Sequence, residues 1–123
     1  ETLSIQVSGQ DIAGSQSVPL AILIGPDTEG RPEVFAAALQ SVGRAVVFGT
    51  RTNGNIEDNR LIPLADGSRL FISSTSFRTT NGVDIGITGI QPSLAMSMDW
   101  DDVTDQNDPV RNASQAALLG ASS

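Results

Sequence analysis

The sequence contains no lysine, histidine, cysteine or tyrosine. Nucleophilic catalysis commonly pairs a serine or cysteine with a histidine or lysine base, and zinc sites are built mainly from cysteine and histidine. Neither arrangement can be assembled within this chain, and a disulfide is excluded as well. Carboxylates, hydroxyls, amides and guanidinium groups remain for any chemistry, and we expect no cofactor.

Basic charge is also scarce, because the 123 residues include 14 acidic and only 7 basic side chains, for a formal net charge of −7. The basic residues are scattered arginines: Arg31, Arg44, Arg51, Arg60, Arg69, Arg78 and Arg111. A clustered basic stripe is typical of nucleic-acid and anionic-membrane binding, so we expect neither partner. The longest apolar run, residues 18–24, is far shorter than the ~20 residues that span a bilayer, so no membrane span is expected.

The first half of the chain has the pattern of a strand, a helix and a second strand. Residues 1–17 are predicted to form a leading strand, with apolar residues alternating at 3–7, and a polar connector. The apolar run at 19–24 predicts a central strand covered on both faces, and residues 45–48 a second buried strand. A helical period that begins at Pro32 predicts an apolar face made of Val34, Phe35, Ala38, Leu39 and Val42. This order predicts a right-handed βαβ unit.

Two β-hairpins are predicted after a polar loop at residues 49–59. Their turns are the dipeptides Asp66-Gly67 and Asn81-Gly82, both of which favour tight connections between strands. The predicted strands lie at 61–64 and 69–73 for the first hairpin, and at Phe77 and 85–90 for the second. Together they predict a hairpin meander after the βαβ unit.

The last part of the sequence predicts an acidic linker at residues 99–108 and a terminal helix at 109–119. The linker carries five aspartates: Asp99, Asp101, Asp102, Asp105 and Asp108. They lack the central glycine and distal glutamate of an EF-hand loop, so no metal is expected. Asp108 and Pro109 are typical of a helix N-cap and first turn. We predict one α/β domain over residues 1–123, built from the βαβ unit, the meander and the C-terminal helix.

A series of short motifs runs in one order through residues 18–119. The motifs are Leu23-Ile24, Glu33 to Gln40, Gly43 to Gly49, Arg51-Thr52, Ile62-Pro63-Leu64, Asp66-Gly67-Ser68, Gly89-Ile90-Gln91-Pro92 and Asp108-Pro109. In this order and spacing they resemble the tail-specific, or C-terminal processing, serine peptidases. The resemblance implies a ClpP/crotonase-like fold, with this chain as the C-terminal portion of a peptidase domain.

The resemblance also locates the family's catalytic positions, and none of the three carries the expected side chain. The nucleophilic serine stands three residues before the helix-opening glutamate and falls on Gly30. The lysine base of a Phe-Gly-Lys stretch falls on Asn55, and a supporting glutamine falls on Asn59. Glycine has no nucleophilic atom in a side chain, and an asparagine amide accepts no proton at any useful pH.

Three possibilities remain open. The first is a tail-specific-peptidase-like domain that has lost proteolysis and binds peptides or acts as a scaffold; the candidate binding residues are Gly25, Pro26, Thr28, Gly30 and Arg31. The second is an active serine-type endopeptidase of the same family, with nucleophile and base supplied by further sequence or by a partner chain. The third is an unrelated α/β domain with no catalytic role. The expected partner is a peptide or unfolded protein segment. An unpaired edge on the first predicted strand of the βαβ unit would favour a homodimer, and the resemblance implies export of the parent protein to the periplasm or cell exterior.

Overall fold

The computed structural model describes residues 10–97, 99, 101, 103, 104 and 106–120. Its helices and strands are β1 (Ala21–Ile24), α1 (Arg31–Ser41), β2 (Val46–Gly49), β3 (Asn59–Pro63), β4 (Arg69–Ser73), α2 (Ile85–Thr88), β5 (Leu94–Ala95) and α3 (Pro109–Gly120). The predicted mixed α/β class is confirmed. The strand predicted at residues 3–7 lies outside the described residues.

A parallel sheet with the strand order β1-β2-β5 is the framework of the fold. Ala21 pairs with Val46 and Ile24 with Gly49, and α1 connects the two strands, so the predicted βαβ unit is confirmed. Within the described residues β2 is the middle strand, and nothing there pairs with the outer edge of β1. The central position of β1 stays a prediction, because the strand predicted at residues 3–7 is not among the described residues. The predicted cover on both faces of β1 is incomplete, since Leu23 is 44% exposed.

α1 confirms the predicted helix but not its predicted buried face. Ala36 and Ala37 are buried against the sheet. Phe35 and Val42, assigned to the apolar face, are 62% and 67% exposed. Small side chains let the helix lie close to the sheet, so the buried face, which also includes Glu33, lies roughly opposite, or ~180° around the helix, from the face that the largest apolar residues indicate.

The hydrophobic core lies between the sheet, α1 and the segments that follow β2. Its buried members are Ile24, Ala36, Ala37, Val47, Ile56, Ile85 and Ile90. Ile22, Val34 and Phe77 pack against this cluster and are partly buried. The core therefore fixes both the carboxyl ends of the strands and the loop after β2.

β3 and β4 form a separate antiparallel sheet, which confirms the hairpin predicted around Asp66-Gly67. Leu61 lies opposite Phe71, and every residue of both strands is exposed. In the turn, the hydroxyl and amide of Ser68 donate hydrogen bonds to the Asp66 carboxylate and hold the pKa of that carboxyl below its usual value.

The second predicted hairpin is wrong in its second strand. The turn at Asn81-Gly82 is present, but residues 85–88 form α2. Asp84 caps this helix, since its side chain accepts a hydrogen bond of 3.2 Å from the Gly86 amide. Such a cap favours a helical start over an extended strand. The predicted meander is therefore interrupted, and β5 pairs in parallel with β2 instead.

α3 lies against β1 and β2 at the end of the described chain. Asp108 caps it, with Oδ1 accepting a hydrogen bond of 3.0 Å from the Arg111 amide. Val110 and Ser114 are its buried residues. Among the helices of the described segments, none has the length and apolarity needed to cross a membrane.

Because β2 approaches β1 closely at Gly49, we predict that this position does not tolerate a side chain. Its φ is 118°, and a Cβ there would collide with the carbonyl oxygen of Ile24. Gly67 also has a positive φ, 84°, but a Cβ there would meet open space. We expect Gly67→Ala to cost about 1 kcal/mol through its backbone alone, and Gly49→Ala to cost at least ~3 kcal/mol. Urea unfolding followed by circular dichroism measures both losses, and equal losses would contradict the role of the contact.

Candidate functional site

Two loops meet at the carboxyl ends of β1 and β2. One loop, residues 25–30, connects β1 to α1, and the other, residues 50–58, follows β2. The Asn53 side-chain amide donates to the Pro26 carbonyl at 3.0 Å, and the Gly30 amide donates to the Asn55 carbonyl at 3.1 Å. Ligands of α/β proteins commonly bind at this end of a parallel sheet.

Gly30 and Asn55 are brought together by this contact. Gly30 has φ 70° and ψ −132°, a backbone conformation that L side chains rarely adopt, although a Cβ there would meet nothing within 4 Å. A serine at this position would have room for its side chain and strain in its backbone. Asn59 lies at the start of β3, where its Oδ1 accepts a hydrogen bond of 3.4 Å from the Ser73 hydroxyl. The structure thus brings Gly30 and Asn55 into contact, whereas the side chain of Asn59 contacts the β3–β4 hairpin.

Glu33 connects the two loops from inside the protein. Its side chain is fully buried, and its carboxylate accepts hydrogen bonds from the Gly30 amide at 3.1 Å and the Gly54 amide at 3.0 Å. The sequence identified Glu33 only as a landmark of the helix start and missed this role. The available signal was its spacing, because a glutamate three residues after a helix N-cap occupies the second position of a capping box.

A pocket of about 600 Å³ opens beside these loops, between the ends of β1 and β2 and the start of α3. It is lined by Leu23, Ile24, Gly25, Pro26, Asp27, Thr28, Gly49, Thr50, Met96, Asp108 and Val110. The walls are mainly apolar, and two carboxylates are the ionisable groups among these residues. The contribution of α3 was not visible in the sequence, because Asp108 and Val110 are about eighty positions from the strand that they face.

Three of the five predicted peptide-binding residues line this pocket: Gly25, Pro26 and Thr28. Thr28 closes a turn, with its Oγ1 accepting a hydrogen bond of 3.0 Å from the Gly25 amide. Gly30 and Arg31 lie outside the pocket lining. The Arg31 guanidinium instead forms an ion pair of 3.1 Å with Asp58 on the protein surface. Within the described residues, no group of three or more acidic side chains is arranged to hold a metal ion.

The parallel sheet, its crossover helix and the pocket define an α/β domain with a candidate site at the carboxyl ends of the strands. The chain belongs to the peptidase family S41, whose model matches residues 4–96. A carboxyl-terminal-processing protease from Picosynechococcus is 32% identical over 100 residues, which cover 75% of this chain and 24% of that protein. A chloroplastic C-terminal processing peptidase from Tetradesmus obliquus is 31% identical over 80 residues, or 65% of this chain and 17% of that protein.

Solved structures agree with the fold. A photosystem II D1 C-terminal processing protease superposes with a TM-score of 0.59 at 30% identity, over 71% of this chain and 22% of that one. A lipoprotein from Streptococcus agalactiae gives a TM-score of 0.63 at 23% identity, over 89% and 34%, and shows the shared fold alone. The chain spans between 15% and 24% of the length of the curated relatives that it matches.

The buried carboxylate of Glu33 predicts that replacing it lowers the stability of the fold far more than replacing an exposed glutamate near the same loop. Glu33→Gln leaves a neutral acceptor for one of the two amides and turns an NH2 donor toward the other, and we expect it to destabilise the fold by about 2–3 kcal/mol. Glu29→Gln alters an exposed side chain and should change stability by less than ~0.5 kcal/mol. Thermal and urea unfolding of both variants provide the measurement. Similar stabilities would contradict the bridging role of Glu33.

Proposed function

We propose that this chain is a peptidase-family domain, of ClpP/crotonase-like type, that no longer cleaves peptides and binds an extended peptide segment at the strand-end pocket. The observation that carries the proposal is the hydrogen bond between the Gly30 amide and the Asn55 carbonyl. The positions that match the family's nucleophile and base are neighbours, as catalysis would require. Their side chains are a hydrogen atom and a neutral amide.

The chemistry of these two residues argues against turnover by this chain. A serine-type reaction needs an oxygen that can be deprotonated and a base that takes its proton. Glycine provides no such oxygen and the asparagine amide no such base. In a well-studied serine peptidase, removal of the nucleophile or of its base lowers kcat by about a million-fold. Asn59 offers no substitute base, because its side chain is also an amide.

Binding is supported by the size and position of the pocket. Its volume of about 600 Å³ falls within the ~300–1,000 Å³ typical of ligand sites. Its apolar walls suit the aliphatic side chains of a peptide. Gly25 leaves part of the wall free of a side chain, since a Cβ there would meet only the Thr50 hydroxyl, at 4.0 Å. A peptide or an unfolded protein segment is therefore the ligand class that fits best.

The alternative function is an active serine-type endopeptidase of the same family. One observation favours it, because the chain matches less than a quarter of the length of its curated relatives. A nucleophile and base could then come from further sequence or from a partner chain. That nucleophile and base would have to reach a site in which Gly30 and Asn55 occupy the positions that match the family's own nucleophile and base.

A matched pair of variants tests the proposed function. We expect the chain to bind a fluorescein-labelled, acetylated and amidated nonapeptide with Leu-Val-Ala-Ala-Leu at its centre, without cleaving it and without reacting with a fluorophosphonate probe. Gly25→Leu adds a side chain beside Thr50 in the pocket and should weaken binding about tenfold or more, since it displaces one apolar side chain of the ligand. Gly120→Leu, at an open position in α3, should bind normally.

Fluorescence anisotropy and mass spectrometry report binding and cleavage in the same samples. Cleavage that survives repurification, together with labelling by the fluorophosphonate, would overturn the loss of activity and favour the endopeptidase. Equal binding by the two glycine variants would place the peptide elsewhere on the domain.

We also propose that the chain forms a homodimer through the outer edge of β1. The Leu20 carbonyl accepts a hydrogen bond from the Val46 amide of β2, and the Ile24 carbonyl accepts one from Thr50, which follows β2. Because backbone groups alternate along a strand, Ala21 and Leu23 direct their carbonyl groups to the edge that is unpaired within the described residues. Two such edges can pair across a twofold axis.

The dimer is testable with one backbone substitution. Ala21→Pro removes an outward N–H group and leaves the β1–β2 hydrogen bonds intact, whereas Ala21→Ser keeps the N–H. We expect light scattering to give the dimer mass for the natural chain and for Ala21→Ser, and the monomer mass for Ala21→Pro. A monomer in all three samples at high concentration would contradict the proposal.

A further inference from the structure

The charges at the strand-end pocket are of one sign. Asp27 and Asp108 line it, and no arginine is among the described residues that do so. One oxygen of Asp108 caps α3 by accepting from the Arg111 amide, and its other oxygen remains available as an acceptor. Asp27 is exposed, and its carboxylate makes no hydrogen bond within the described residues. The net charge of −7 adds to the negative field around both groups.

Two groups near the pocket that could receive an anion are already engaged. The Arg31 guanidinium pairs with Asp58 at 3.1 Å, and the Gly30 amide is shared between the Asn55 carbonyl and the Glu33 carboxylate. The side-chain donors among the described lining residues are the neutral hydroxyls of Thr28 and Thr50. A ligand carboxylate would therefore meet two like charges and no cation among these lining residues.

We infer that the pocket selects a peptide segment that carries a basic side chain beside aliphatic ones. The apolar walls, among them Leu23, Met96 and Val110, would hold the aliphatic side chains. The basic group would lie between Asp27 and Asp108. This inference rests on the proposed function, because it names the class of peptide that the same pocket binds. It predicts that an apolar segment ending in a free carboxylate is a poor ligand.

The test compares peptides of equal shape and different charge. Two acetylated and amidated nonapeptides carry Leu-Val-Arg-Ala-Leu or Leu-Val-citrulline-Ala-Leu at their centres, and a third carries an aliphatic sequence ending in a free carboxylate. Citrulline has nearly the shape of arginine without its charge. We expect the arginine peptide to bind about 3- to 10-fold tighter than the citrulline peptide at 20 mM salt, as two partly exposed charge pairs allow. The advantage should shrink at 300 mM salt, and the third peptide should bind most weakly.

Two double variants separate the pocket carboxylates from net charge. Asp27→Asn with Asp108→Asn should abolish the preference for arginine, and asparagine at position 108 preserves the helix cap. Glu29→Gln with Glu57→Gln removes the same amount of charge from residues outside the pocket lining and should retain the preference. Equal binding of the arginine and citrulline peptides, or a preference that survives in the first double variant, would overturn this inference and leave the proposed function in place. Failure of all three peptides to bind would overturn both.

Discussion

The buried carboxylate of Glu33 is the constraint on which the candidate site depends. Its two oxygens accept hydrogen bonds from the amides of two different loops, Gly30 before α1 and Gly54 after β2. No cation contacts it within the described residues. Charge-assisted hydrogen bonds from the two amides and the position of Glu33 in the first turn of the helix stabilise the negative charge instead. The same Gly30 amide also donates to the Asn55 carbonyl, so Glu33 and Asn55 share one donor.

The geometry of the site does not depend on the side chains at positions 30 and 55. Backbone atoms and the buried side chain of Glu33 hold Gly30 beside Asn55. The pocket depends on other features: the parallel ends of β1 and β2 form its floor, and α3 closes one side. The pocket and the contact between Gly30 and Asn55 are therefore held by separate sets of interactions.

Local rules predicted those parts of the fold that local interactions decide. The βαβ unit, the Asp66-Gly67 hairpin and the Asp108 cap follow from apolar periods, turn dipeptides and capping side chains. The buried face of α1 follows from packing partners elsewhere in the chain, and here the prediction was wrong. The same limit explains the pocket. Its loop residues could be predicted from their place after a strand, whereas Asp108 reaches the pocket only through the docking of α3.

The conformation of Gly30 sets the energetic cost of any side chain at this position. Its positive φ favours glycine over an L residue by about 1–2 kcal/mol, although a Cβ would meet no atom within 4 Å. The obstacle to a side chain at position 30 is therefore the backbone and not the surrounding space. Any residue placed here that relaxes this φ must also move the Gly30 amide, which donates to both Glu33 and Asn55.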